Sequence, residues 1–164
     1  MDRHFPHRIV SGGQTGADRG GLEAAIELGI PHGGWCPLGR RAEDGRIPAR
    51  FELREAPSEV YAVRTRWNVR DSDATLLLTK GEPTGGSAMT AQMATKMGRP
   101  LLHIDLLRLS KEQAAHRILD WLLQEKPGTL NVAGSRESIS PGLARDTREI
   151  LTMALSKGEP SGSS

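Results

Sequence analysis

The chain has few aromatics, a single cysteine and no long apolar run, and each shortage excludes something. Phe, Trp and Tyr together make up 4% of the residues, too few for the stacking platforms of single-strand nucleic-acid binders. The formal net charge is only +2, so nothing in the charge argues for nucleic acid as a partner. Cys36 stands alone; it cannot close an internal disulfide, and a free thiol fits a reducing compartment. No apolar stretch approaches the ~18 residues of a membrane span, and no basic start leads into a signal-peptide core. The expectation is a cytoplasmic protein with no membrane contact. His4, His7, His32, His103 and His116 are scattered. They have no metal-ligand spacing with Cys36, so no directly coordinated metal is expected. No Ser-His-Asp arrangement can be read. Neither G-x-x-x-x-G-K-[ST] nor G-x-G-x-x-G occurs.

What is present is glycine and arginine. There are 19 glycines in 164 residues, above the average of about 7%. Seventeen Arg stand against five Lys. Arginine suits bidentate binding of phosphates and carboxylates, although a GC-rich genome gives the same bias.

Apolar runs alternate with helical patterns. Strands are predicted at Arg8 to Ser11, Gly33 to Cys36, Ala74 to Thr79, Pro100 to Ile104 and Thr129 to Gly134. Helices are predicted from Gly16 to Gly29, after a Ser58 cap with Val60, Val63 and Trp67 inward, and from Ala88 to Gly98. Two more follow a Ser110–Gln113 capping box, with Ala114, Ile118, Trp121 and Leu122 inward, and Pro141, with Leu143, Thr147, Ile150, Leu151 and Ala154 inward. Residues 37–57 show no clean period and read as an ordered loop with a short strand near Phe51 to Arg54. The pattern predicts a single α/β domain over residues 1–156, a three-layer Rossmann-like parallel sheet. Residues 157–164 read as a disordered tail.

The glycines fall after strands. In a parallel sheet the loops at the carboxyl ends share one edge, where ligands bind. Ser11 to Asp18, Lys80 to Ser87 and Gly134 to Ser140 all leave that edge. The first, "SGGQTGAD", offers the amides of Gly12, Gly13 and Gly16 and the Thr15 hydroxyl at a helix start, where a negative charge is favoured. Asp18 either caps that helix or accepts from a ligand. The second loop repeats the arrangement with Gly85, Gly86 and Ser87, followed by Thr90. The third adds Gly134, Ser135, Arg136 to clamp a phosphate, and Glu137. After the second strand, Trp35 either packs or stacks on a heterocycle, and Arg40 and Arg41 either hold a phosphate or are solvated. Arg66 and Arg70, at i and i+4, face away from Val60 and Val63.

"IVSGGQTGADRGGLEAAIELG", "GGWCPLGRRAEDGRIP", "TRWNVRDSDATLLL", "PTGGSAMTAQMATKMGRPLL" and "LNVAGSRESISPG" together resemble the molybdenum carrier family, related to molybdenum cofactor carrier proteins. The wider superfamily includes the lonely-guy phosphoribohydrolases and the DNA-processing protein DprA. In those relatives the strand ending in "GSR" comes first, whereas here "AGSR" comes last. The resemblance therefore implies a circular permutation, a strand order of 2-1-5-3-4 and a homo-oligomer. It also implies the molybdenum cofactor or a nucleotide as ligand. The catalytic Glu of the phosphoribohydrolase loop falls on Thr90, which cannot do a carboxylate's work; Glu82 and Glu137 are the nearby substitutes.

Three functions follow. The leading one is non-catalytic binding of a phosphorylated heterocyclic small molecule, molybdenum cofactor or nucleotide, as carrier or sensor. The second is a phosphoribohydrolase-type enzyme. The third is DprA-like single-strand binding, which the charge and the aromatic content oppose.

Overall fold

The computed structural model describes residues 5–156; the expected tail at 157–164 lies outside them. Five strands form the central sheet: β1 (Arg8–Val10), β2 (His32–Gly33), β7 (Ala74–Thr79), β8 (Leu101–Asp105) and β9 (Thr129–Gly134). Their order is β2-β1-β9-β7-β8, which is 2-1-5-3-4 when these five strands are counted along the chain. All four pairings are parallel. Between β2 and β7 lie two small sheets. One pairs β3 (Trp35–Cys36) with β6 (Arg54–Glu55), and the other is the hairpin of β4 (Arg41–Ala42) and β5 (Gly45–Arg46).

Five helices complete the fold: α1 (Ala17–Leu28), α2 (Tyr61–Arg70), α3 (Gly85–Lys96), α4 (Lys111–Glu125) and α5 (Leu143–Ser156). Right-handed crossovers fix their sides. The chain moves one way along the sheet through α1 and α4 and the other way through α2 and α3. Accordingly α5 packs against both α1 and α4, while α2 packs against α3. The result is three layers.

The core follows from the sequence periods. β7 lies mid-sheet under helices on both faces, and its residues Ala74 to Thr79 are all buried. Leu76, Leu78, Ile9, Leu130 and Val132 meet the α5 stripe Leu143, Ile150, Leu151 and Ala154. A second, smaller core of Leu22, Cys36, Ile47 and Phe51 seals the 37–57 excursion onto α1.

Three local expectations change. The strand expected over 33–36 is two strands. Gly34 turns the chain at φ 123°, and a Cβ there would lie 2.3 Å from the Ser11 carbonyl oxygen; the segment leaves the main sheet and pairs with β6 instead. Ser58 does not cap α2. Its hydroxyl accepts from Val60 N, and Val60 is the N-cap. Val60 is accordingly 58% exposed, and α2 buries Thr65, Asn68 and Val69. The reason is that Asn68 closes both amide bonds onto the Trp35 backbone, at 2.8 and 2.9 Å, so a polar side chain takes the inner position. Finally, α3 starts at Gly85, three residues before the predicted Ala88, because Ser87 Oγ accepts from Thr84 N at 2.9 Å and initiates the first turn there.

α1 and α5 approach through Gly20. A Cβ there would lie 2.4 Å from the Ala144 carbonyl oxygen and 2.7 Å from Thr147 Cβ. Alanine gains about 1 kcal/mol in helix propensity, but overpacking costs typically 1–3 kcal/mol, and the obstacle here is backbone. Gly20→Ala is expected to lower stability to urea by roughly 1–2 kcal/mol; a midpoint equal to or above wild type would contradict this contact.

Candidate functional site

β1, β7 and β9 are parallel neighbours, so the loops that follow them emerge on one edge. A cavity of about 290 Å³ opens there, at the small end of ligand pockets. The first loop contributes Gln14 and Asp18 to it. The second contributes Thr84 to Ser87, with Met89 and Thr90 of α3. The third contributes Ala133 to Arg136 and Ile139. α2 closes the fourth side with Tyr61, Ala62, Arg64 and Thr65. Of the residues named from the sequence, Asp18, Gly85, Gly86, Ser87, Thr90, Gly134, Ser135 and Arg136 line this cavity. Gly12, Gly13, Thr15, Gly16, Trp35, Arg40, Arg41 and Glu137 do not.

The second loop leaves backbone donors free. The first N–H groups of a helix have no partner within it, and the dipole adds positive potential there. At Gly85 and Gly86 a built Cβ meets nothing within 4 Å, so the approach to those amides is open. The hydroxyls beside them are already committed: Ser87 Oγ donates to Thr84 O at 2.7 Å and Thr90 Oγ1 to Gly86 O at 3.0 Å.

The first loop is different, because the chain supplies its own anion. The Asp18 carboxylate accepts from Gln14 N at 3.2 Å and from Arg64 Nη1 at 3.0 Å. Its side chain is only 4% exposed. Burial pushes its pKa above the usual carboxylate range, against the lowering pull of Arg64, the Gln14 amide and Arg19. Gly13 N, Thr15 N and Ala17 N are taken by Ser11 Oγ, Gln14 Oε1 and Ser135 O. Gly12 makes room for the guanidinium, since a Cβ there would fall 1.7 Å from Arg64 Nη1. At Gly16 the backbone takes φ 83°, and a Cβ would collide with Ser135 O at 2.2 Å, so the first and third loops interlock.

In the third loop, Arg136 lies over the Tyr61 ring, its Cζ 5.6 Å from the centroid; Arg64 lies over the same ring at 5.7 Å. Two guanidiniums thus gather about one aromatic side chain beside the α3 amides. Glu137 turns away. Its two oxygens accept from Gly142 N at 2.6 Å and Ala144 N at 3.1 Å, tying down the segment that enters α5. Glu43, from the excursion, fastens the back of the site. It accepts from the Thr15 hydroxyl and from Ser138 Oγ at 2.6 Å and Ser138 N at 3.1 Å. Its pKa sits below the usual value: burial raises it, but the Ser138 and Thr15 hydrogen bonds and Arg136 outweigh that.

The remaining candidates serve the excursion. Arg40 Nη2 donates to the carbonyls of Pro48 and Phe51, each at 2.8 Å, and closes that loop around the small core. Arg41 pairs with Glu59 on the surface. Trp35 Nε1 donates to Asp71, its ring meets Trp67 edge-on, and it lines a separate hollow of about 260 Å³ with Arg8 and Arg54. The Cys36 thiol is core, its pKa raised by burial. Sequence reading passed over Gln14, Tyr61 and Arg64. The i, i+4 spacing drew attention to Arg66 and Arg70, yet Arg66 is exposed and Arg70 pairs with its neighbour Asp71.

Together, the strand order and the three loops around one cavity define a Rossmann-like α/β protein with its sheet in permuted order. The family model described as the circularly permutated YpsA SLOG family matches residues 9–155, and the chain belongs to that family. Among solved structures, a crystal structure of a "Putative molybdenum carrier protein" from Syntrophus aciditrophicus is 44% identical, with TM-score 0.91, over 94% of this chain and 98% of that one. The resemblance to molybdenum carriers that the motifs carry is thereby borne out. No curated protein matches the chain. Among the described residues, no helix is long and apolar enough to cross a membrane, and no group of three or more His, Cys, Asp or Glu is placed to hold a metal ion.

Two predictions follow from these charges. Arg64→Met strands Asp18 without its counter-charge and is expected to cost about 3–5 kcal/mol. In an Asp18→Asn background the same change should cost far less, and equal costs in both backgrounds of a denaturation cycle would deny the pairing. Glu43 has a lowered folded pKa, so its contribution is present above its ordinary value of 4.5 and fades as pH falls through the folded value. The stability gap between wild type and Glu43→Gln should therefore narrow as pH falls below 4.5, followed by urea unfolding at each pH.

Proposed function

We propose that this protein binds a small phosphorylated heterocycle, the molybdenum cofactor or a nucleotide, and holds it without converting it. The observation that carries this reading is the joining, in one cavity, of the open α3 N-terminus with Arg64, Arg136 and Tyr61. A phosphate suits backbone donors at a helix start and a guanidinium fork. The rest of the ligand would lie against Tyr61 and the apolar surfaces of Met89 and Ile139. The molybdenum cofactor enters here as cargo. Its phosphate matches these donors, and its metal is held by its own pterin sulfurs, so no protein ligands to molybdenum are required. The neighbour's name supports that choice of cargo.

Hydrolysis of an N-glycosidic bond has less to draw on. Thr90 stands where the related hydrolases carry their Glu, and its hydroxyl is spent on Gly86 O. Both Glu137 oxygens hold the entry to α5. Asp18 is the carboxylate left in the cavity, and its Oδ2 is held by Arg64.

Equilibrium titration with molybdenum cofactor, ADP-ribose and nucleoside monophosphates is expected to find at least one ligand bound at micromolar affinity or better. Arg136→Gln should weaken that binding tenfold or more, the worth of a charge-assisted hydrogen bond of about 1.5–3 kcal/mol. Millimolar binding throughout would remove the reading. Release of free base from nucleoside monophosphates, abolished by Asp18→Asn or Glu137→Gln, would replace it with the hydrolase.

A further inference from the structure

Gln14 is 5% exposed and lies in the cavity wall, and its Nε2 is buried with no hydrogen-bond partner. Its orientation is fixed. Oε1 accepts from Thr15 N at 3.1 Å and from Glu43 N at 2.8 Å, so turning the amide over would set its NH₂ against two N–H donors. Arg64 repeats the pattern in the same wall: Nη1 is spent on Asp18, while Nε is buried without a partner. Both residues line the cavity at Asp18, where the Gln14 backbone N–H and Arg64 Nη1 converge on one carboxylate oxygen. Buried donors without acceptors are rare, and each calls for a partner that the chain does not supply. Two in one cavity wall, beside a carboxylate, make a donor–donor–acceptor set.

We infer that Gln14 is the specificity-determining residue of this cavity, with Nε2 donating to an oxo group on the heterocycle of the bound ligand. The inference rests on the binding reading above and deepens it. A carbonyl oxygen has two lone pairs and takes both orphan donors, Gln14 Nε2 and Arg64 Nε. A ring nitrogen takes one. An exocyclic amine at that place would turn a donor toward donors, leaving polar groups buried and unpaired. The Asp18 carboxylate is the matching acceptor for a ring N–H next to the oxo group. The chemical class selected is thus a phosphorylated heterocycle with a lactam edge, N–H beside C=O, over its amino counterpart. Glu43 takes part at one remove, since its backbone N–H holds Gln14 Oε1 in place.

The test compares guanosine 5′-monophosphate, adenosine 5′-monophosphate and purine riboside 5′-monophosphate by titration calorimetry. Wild type is expected to bind the oxo nucleotide at least about tenfold more tightly than either of the others, since a site built to pair a polar group rejects the analogue that lacks it. Gln14→Glu keeps an oxygen for Thr15 N and Glu43 N and replaces the donor by an acceptor. Gln14→Met removes the donor without adding charge. Both variants should lose the preference for the oxo nucleotide. Circular dichroism melting checks that each variant folds, and the wild-type ranking stands whether or not they do. Equal affinities in wild type, or a preference unchanged in a folded variant, would overturn the inference. If wild type holds only phosphorylated ligands that lack a lactam edge, the lactam assignment falls and the binding reading stands; if it holds none at all, both fall.

Discussion

Asp18 is a charge removed from water at the head of α1, and the surrounding loops answer it. An unpaired buried carboxylate costs several kcal/mol, so the fold must bring it partners. The first partner is local, the Gln14 amide. The second comes from 46 residues away, the Arg64 guanidinium on α2. That single requirement places α2 against the first loop, demands the absence of a side chain at Gly12, and lays Arg64 along the wall of the cavity. The glycine that looked like a surface for a ligand's phosphate is, at Gly12, a surface for the protein's own cation.

The three Gly-rich bends therefore divide their labour. The first is a closed unit, with several of its amides used within the chain. The third interlocks with it through Gly16 and Ser135 and is held from behind by Glu43. The second presents open amides at Gly85 and Gly86. An anion arriving at α3 meets donors that are already oriented, because Asp18 and Tyr61 hold Arg64 and Arg136 in place before any ligand is present. Preorganised donors lose less entropy on binding.

Much of the architecture could be read along the chain because its signals are local. The unbroken apolar run "ATLLLT" marks a strand buried on both faces, and the Leu143–Ala154 stripe marks the helix over it. The strand order was not local; it came through the resemblance, because "AGSR" stands last where relatives have it first. For the cavity, glycines at strand ends announced that three loops would meet. Which residues face inward was hidden, because the decisive ones answer charges far away in sequence. Arg64 looks like any other arginine in "VRTRWNVR", and its role depends on Asp18. Arg40 beside Arg41 looked like a phosphate pair, yet it faces the carbonyls of Pro48 and Phe51 because a turning loop exposes backbone oxygens that need donors. Gln14 has no pattern around it at all. Only the two amides that claim its oxygen reveal where its nitrogen is left.

Glu137 shows how a permuted chain can reuse a loop while changing its chemistry. A glutamate beside a candidate phosphate site invites a catalytic assignment. Here the segment after β9 leads into a helix that must pack on both α1 and α4, and the turn before it, at Gly142, leaves amides that need acceptors. Glu137 supplies them with both oxygens, so its geometry belongs to the entry of α5 and not to the cavity. Thr90 is bonded to its own helix and Asp18 is paired to Arg64, so neither the hydroxyl at the hydrolase position nor the carboxylate in the cavity stands free. What the cavity still offers is donors: the amides of α3, the guanidinium of Arg136 and the free nitrogens of Gln14 and Arg64. A wall rich in donors and short of a free base is the ground on which the proposal of binding without conversion stands.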